Sequence, residues 1–213
     1  MQDIYIISGL GADHRVFKYI DFGKLNVHFI EWIAPLEKES LSSYAQRISE
    51  NIKHEKPILI GLSFGGMVAA EIAKLMEVDR IIFIASVKTR QELPPSFKTM
   101  GKLNIHKMLP SATFNHLGLV INHFFGLQSE QEKELLKEIL EDHDPKFYHW
   151  AIDQILNWEN EVPPSDFIHI HGDQDRVFPI KHIAYTHLIK DGGHLLTLNK
   201  AREVGKIIRE YCR

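Results

Sequence analysis

Pro57-Ile58-Leu59-Ile60-Gly61-Leu62-Ser63-Phe64-Gly65-Gly66-Met67-Val68-Ala69-Ala70-Glu71-Ile72-Ala73 is the stretch on which the fold turns. The apolar run Pro57 to Ile60 leads into Gly-x-Ser-x-Gly, and Met67 to Ala73 reads as a helix. Strand, tight turn and helix in that order are the context of a nucleophile elbow. Such a turn holds its serine in a strained backbone conformation, with the hydroxyl lifted off the sheet. Gly61 and Gly65 lack a Cβ, so strand and helix can close around the turn. The helix start then directs backbone N–H groups and the positive end of its dipole at the reacting oxygen.

Outward from this stretch the chain alternates. Short isoleucine-rich runs bounded by turn residues occur at Ile4–Ile7, Val27–Trp32, Ile58–Leu62, Ile81–Ala85, Phe167–Ile170 and Thr186–Ile189. Runs of this kind suit strands buried on both faces. Helical spacing lies between several of them. Ser42–Ile52 places Tyr44, Ala45, Ile48 and Ile52 on one face, and Lys200–Tyr211 does so with Val204, Ile207, Ile208 and Tyr211. Alternating strands and helices with right-handed crossovers predict an α/β protein with a mostly parallel, roughly six-stranded sheet covered by helices on both faces.

One block breaks the alternation. Between Ser86 and Pro164 no run reads as a strand. Ser129 and Glu132 form a capping box ahead of Leu135, Leu136, Ile139 and Leu140. Asp144-Pro145 marks another helix start, and Phe114, Leu117, Ile121, Phe124 and Phe125 fall at helical spacing. The expected organisation is a core of residues 1–86 and 160–213, interrupted by a helical cap at 87–159. Ligands of open α/β sheets bind at the carboxyl ends of the strands, so this insertion is placed to cover Ser63.

A nucleophilic serine needs a base and an orienting acid. His171-Gly172-Asp173-Gln174-Asp175-Arg176-Val177-Phe178-Pro179 follows one strand, and Asp191-Gly192-Gly193-His194 follows the next. Serine, acid, histidine is the chain order expected of this elbow class. His194 is the candidate base, and Asp173 and Asp175 are candidate acids.

Gly-x-Ser-x-Gly-Gly, His-Gly-x-x-Asp-x-x-x-Pro and Gly-Gly-His together resemble the α/β-hydrolase superfamily, in its small single-domain serine members with a helical cap. The resemblance covers nearly the whole chain. It implies that Asp175 is the acid and that the backbone N–H groups of Leu10 and Phe64 form the oxyanion hole. Because Ile4–Ile7 leads directly into the oxyanion loop, the two antiparallel strands that often open the fold are not expected. Ser8-Gly9 stands where many relatives have His-Gly, and Trp32-Ile33-Ala34-Pro35-Leu36 replaces a Gly-x-Gly-x-Ser turn. The implied activity is cleavage of a small carboxylic ester or thioester through an acyl-enzyme on Ser63, without a cofactor. Acyl transfer and a slow, ligand-sensing role on the same fold are the alternatives. Serine at the elbow argues against haloalkane or epoxide hydrolysis. Phe124, Phe125 and Trp150 are the cap residues that could touch substrate, although large apolar side chains are more often core.

Composition removes other classes. The 213 residues suffice for one well-buried core, and a net charge of −3 supplies no basic footprint for nucleic acid. No apolar run approaches a membrane span, and Met1-Gln2-Asp3-Ile4-Tyr5 lacks the features of a signal peptide. The single cysteine, Cys212, fits a reducing, cytoplasmic setting, and its terminal position suggests a frayed, non-catalytic residue. Gly9-Leu10-Gly11 imitates a dinucleotide fingerprint, but His14 takes the place of its third glycine. His169, His171, Asp173, Asp175 and His194 are the cluster to test for a metal; their spacing matches no recognised zinc pattern, so none is expected. Nothing in the sequence decides the oligomeric state.

Overall fold

The computed structural model describes residues 2–104, 129–142 and 145–212. Its strands are β1 (Asp3–Ile7), β2 (Asn26–Ile30), β3 (Ile58–Leu62), β4 (Arg80–Ile84), β5 (Phe167–Gly172) and β6 (His187–Ile189). They form one six-stranded sheet in the order β2-β1-β3-β4-β5-β6, with every neighbouring pair parallel. The order reverses direction at β1, the switch point of a doubly wound sheet. The sheet is therefore wholly rather than mostly parallel.

Helices α1 (Leu41–Ser49), α2 (Phe64–Ile72), α3 (Pro95–Lys102), α4 (Glu130–Glu141), α5 (Pro145–Leu156), α6 (Leu196–Asn199) and α7 (Ala201–Tyr211) complete the described elements, apart from short 3-10 turns. The period-two alternation of the strands divides the core. Ile4 and Ile6, Ile58 and Ile60, Ile82 and Ile84, and Ile168 and Ile170 pack on one face with Leu196, Val204 and Ile208. Tyr5 and Ile7, Leu59, and Ile81 and Phe83 pack on the other with Tyr44, Ile48, Met67 and Val68 of α1 and α2. Each pair of a strand's neighbouring residues thus serves opposite layers.

Among the described residues no strand lies between β4 and β5; α3, α4 and α5 fill that interval. The Ser129–Glu132 capping box is present, whereas Asp144, Phe124 and Phe125 lie outside the described residues. Cys212 departs from expectation. It is buried, and burial pushes its thiol up to about 12, which keeps it protonated and inert. No helix of the described residues is long and apolar enough to cross a membrane.

Candidate active site

Ser63 joins β3 to α2 with φ 51° and ψ −119°, a conformation that L side chains rarely adopt. The turn is held from several directions. Its N–H donates to the Ile84 carbonyl (2.9 Å), and its carbonyl accepts from the Ser86 hydroxyl (2.6 Å) and from the Gly66 N–H (3.0 Å). Strain of this order persists only where the surroundings over-determine it. The glycines are required by close approach. A Cβ on Gly65 would run into the carbonyl oxygens of Ile7 and Ser8, and one on Gly61 into the backbone of Gly65 and Gly66.

From Ser63 a chain of hydrogen bonds runs inward. Its Oγ lies 2.8 Å from His194 Nε2, and His194 Nδ1 lies 2.9 Å from Asp175 Oδ2. His194 and Asp175 are buried. The other oxygen of Asp175 accepts from the N–H groups of Val177 (2.8 Å) and Phe178 (2.9 Å). The loop after β5 thus clamps the carboxylate with one oxygen and aims the other at the imidazole. The structure brings Asp175 to His194, while Asp173 spends its N–H on the Ile189 carbonyl at the end of β6.

A second buried polar layer stands behind the acid, on β5. His171 Nε2 donates to the Phe178 carbonyl (2.8 Å) and comes within 3.5 Å of Asp175 Oδ2. His169, two residues back on the same strand face, bonds through Nδ1 to Lys88 Nζ (2.8 Å). Lys88 also donates to Glu92 (2.6 Å) and to the Ala184 carbonyl (2.8 Å). Burial holds the His169 imidazole well below its ordinary pKa, and the Lys88 charge and His171 add to the effect. Burial lowers His171 as well, although Asp175 opposes it. Burial also lowers Lys88, against the pull of Glu92. Both histidines are thus neutral parts of the core, each joined to the protein through one ring nitrogen.

The loop after β1 lies against the serine. A Cβ on Gly9 would sit 3.5 Å from Ser63 Cβ. The Ala12 N–H closes a turn on the Gly9 carbonyl (2.9 Å). The indole of Trp32 then donates to the Gly9 (3.2 Å) and Ala12 (2.9 Å) carbonyls and pins the loop. Trp32 belongs to the segment where the chain departs from the common turn, so this departure supplies the loop's anchor. Phe64 is the first residue of α2, and its N–H has no partner within the helix ladder.

A cavity of about 230 Å³ opens on Ser63 and His194. Leu10, Leu62, Val177, Phe178 and Leu195 line its sheet side, and Phe97, Met100, Leu136, Ile152, Ile155 and Leu156 come from α3, α4 and α5. Ser63 and His194 are its only polar side chains among the described lining residues. Trp150 is placed elsewhere. Its indole donates to the Glu39 carbonyl (2.7 Å) and its ring packs at 4.4 Å from that of Tyr44, which anchors α5 to α1. On the cap side only Leu136 was named in the sequence, as part of a helix; Phe97, Met100, Ile152, Ile155 and Leu156 were not. Their signal is the second apolar face of α5, where Ile152, Ile155 and Leu156 repeat at helical spacing.

The model of the Alpha/beta hydrolase family matches residues 7–206. No curated protein matches the chain in sequence. Among solved structures it is similar to a thermophilic esterase from Thermogutta terrifontis with malate bound, at 16% identity over 99% of this chain and 89% of that one, with a TM-score of 0.72. It is also similar to a bromoperoxidase from Bacillus anthracis (18% identity, 97% of this chain and 90% of that one, TM-score 0.70). A hydrolase from Pseudomonas aeruginosa matches likewise (13% identity, 98% of this chain and 89% of that one, TM-score 0.73). At such identities the likeness is one of fold.

Proposed function

The chain belongs to the alpha/beta hydrolase family, and from that premise we propose that it is a serine hydrolase acting on a small carboxylic ester or thioester with an uncharged, apolar acyl group. The observation that carries this reading is the run Ser63–His194–Asp175, with contacts of 2.8 and 2.9 Å, at the floor of an apolar cavity.

In the proposed cycle Ser63 Oγ attacks the carbonyl carbon while its proton passes to His194 Nε2. Asp175 holds the imidazole with Nδ1 protonated and stabilises the imidazolium. The N–H groups of Leu10 and Phe64 take the developing oxyanion. The tetrahedral adduct collapses, the C–O or C–S bond breaks, and His194 returns the proton to the leaving alkoxide or thiolate. Water, deprotonated by the same nitrogen, then releases the acid and restores Ser63. Residues 87–159 act as the cap, since α3, α4 and α5 supply the outer wall of the cavity.

The lining supports the substrate class. None of the described lining residues carries a charge to meet a carboxylate or ammonium on the acyl group, and burying such a group unpaired costs several kcal/mol. The volume, about 230 Å³, falls below the ~300 Å³ at which drug-sized ligand sites begin. The test is turnover of p-nitrophenyl esters of increasing chain length by the wild type and by Ser63→Ala. Serine-dependent hydrolysis with an optimum at a short or medium uncharged acyl chain is expected. Serine-independent turnover, or none with any ester, would remove the proposal.

A further inference from the structure

At the amino ends of the strands, on the edge opposite Ser63, three side chains converge that the proposed reaction does not use. Asp3 on β1 and His28 on β2 share a sheet face, because the parallel register pairs Asp3 with Asn26 and Tyr5 with His28. His54 reaches them from the segment after α1. His28 Nε2 lies 3.0 Å from Asp3 Oδ1, and His54 Nε2 lies 3.6 Å from the same oxygen. Ligating atoms of all three fall within 4.8 Å of one another. We infer that Asp3, His28 and His54 form a site for a divalent transition metal ion, with zinc as the best fit.

The geometry carries the assignment. Zinc bonds to imidazole nitrogen and carboxylate oxygen are ~2.0–2.1 Å, so neighbouring ligands of a tetrahedral ion are ~3.3–3.4 Å apart. The separations of 3.0 and 3.6 Å bracket that edge. Two imidazoles and one carboxylate are a common zinc donor set, with water in the fourth position. The His54 side chain is 43% exposed, so ion and water have a path in.

A supporting shell is already built. The Tyr5 hydroxyl lies 2.7 Å from His54 Nδ1 and accepts the Lys53 N–H at 3.0 Å. With zinc on Nε2, Nδ1–H donates to the Tyr5 oxygen, whose two lone pairs serve both donors; this is the arrangement that fixes a ligating histidine. The Tyr5 ring is buried and stacks on His28 at 4.7 Å, which fixes the second ligand ring. Asn26 Nδ2 donates to Asp3 Oδ1 and orients the carboxylate. The ion would tie β1, β2 and the entry to β3 together at the sheet edge remote from the cavity.

The experiment is calorimetric titration of the full chain with zinc chloride, wild type beside His54→Ala and Asp3→Asn. The His54 side chain is 43% exposed and Tyr5 keeps its bond from the Lys53 N–H without it, so its removal spares the fold; Asp3→Asn keeps one oxygen and removes the charge. One strong equivalent in the wild type, weakened tenfold or more in both variants, is expected. Cobalt bound at the same stoichiometry should show the intense visible absorption of a four-coordinate ion. Equal affinity in wild type and His54→Ala would send zinc to other histidines and overturn the assignment. So would no uptake by the wild type, or a weak six-coordinate cobalt spectrum; the cluster would then be a hydrogen-bonded ionic network only.

Discussion

Asp175→Asn isolates what the carboxylate contributes, because the loop dictates how the amide must sit. One oxygen of Asp175 accepts two backbone N–H bonds, from Val177 (2.8 Å) and Phe178 (2.9 Å). An amide nitrogen has no lone pair for them, so the asparagine oxygen must take that place. Its NH2 group then faces His194 Nδ1 from the position that Oδ2 held at 2.9 Å. A donor there requires Nδ1 to accept, which moves the histidine proton to Nε2. The nitrogen beside Ser63 can then no longer take the serine proton. The fold is untouched, since all three hydrogen bonds of the side chain survive with one reversed. The expected loss is in kcat, about 10⁴-fold by analogy with the same tautomer reversal in a serine protease, or ~5.5 kcal/mol of transition-state stabilisation. The assay is steady-state hydrolysis of a short p-nitrophenyl ester, with circular dichroism to show the variant is folded. A folded Asp175→Asn within tenfold of wild type would refute the reasoning, as would a larger loss from Asp173→Asn.

Gly65→Ala should destabilise by ~1–3 kcal/mol or more in urea denaturation and abolish serine labelling, because the new Cβ meets the Ile7 and Ser8 carbonyls; an active, fully stable variant would contradict the packing of the elbow. Glu92→Ala strands the buried Lys88 ammonium and should cost about 3–5 kcal/mol in the same assay. Met100→Trp should move the ester optimum to shorter chains by filling part of the cavity, while Ser63 still reacts with a small phosphonate. Stability should fall in acid through His169 and His171. Their folded pKa values are depressed, so below about pH 6.5 the unfolded chain binds protons that the folded chain does not. Each contributes a loss of up to ~1.4 kcal/mol per pH unit from that point downward, and His169→Asn should flatten the slope measured from pH 7 to pH 5.

What could be read from the sequence was what the backbone dictates locally. Gly61-x-Ser63-x-Gly65 admits few conformations between a buried strand and a helix, so elbow, sheet and topology follow from short motifs. The strand ends shifted for reasons that lie in the partners. β2 stops at Ile30 rather than Trp32 because β1 ends at Ile7, its register mate, which frees Trp32 to anchor the loop of Leu10. β5 continues to Gly172 because β6 pairs with His171 and Gly172. The elbow helix begins at Phe64 rather than Met67, since close packing outweighs the poor helix propensity of Gly65 and Gly66. The cavity lining was not legible. Periodicity reports that a face is apolar, and it cannot tell a face turned to the sheet from one turned to a cavity. Asp3, His28 and His54 were missed because strand register and a helix-exit segment, rather than sequence spacing, bring them together.

The central claim is that Ser63 is a nucleophile activated by His194. It is tested most directly by reacting the full chain with a small fluorophosphonate and reading the modified residue by mass spectrometry. A single adduct on Ser63 is expected, absent in Ser63→Ala and greatly slowed in His194→Ala. An unlabelled wild type that still hydrolyses esters, or an adduct that persists in Ser63→Ala, would contradict it.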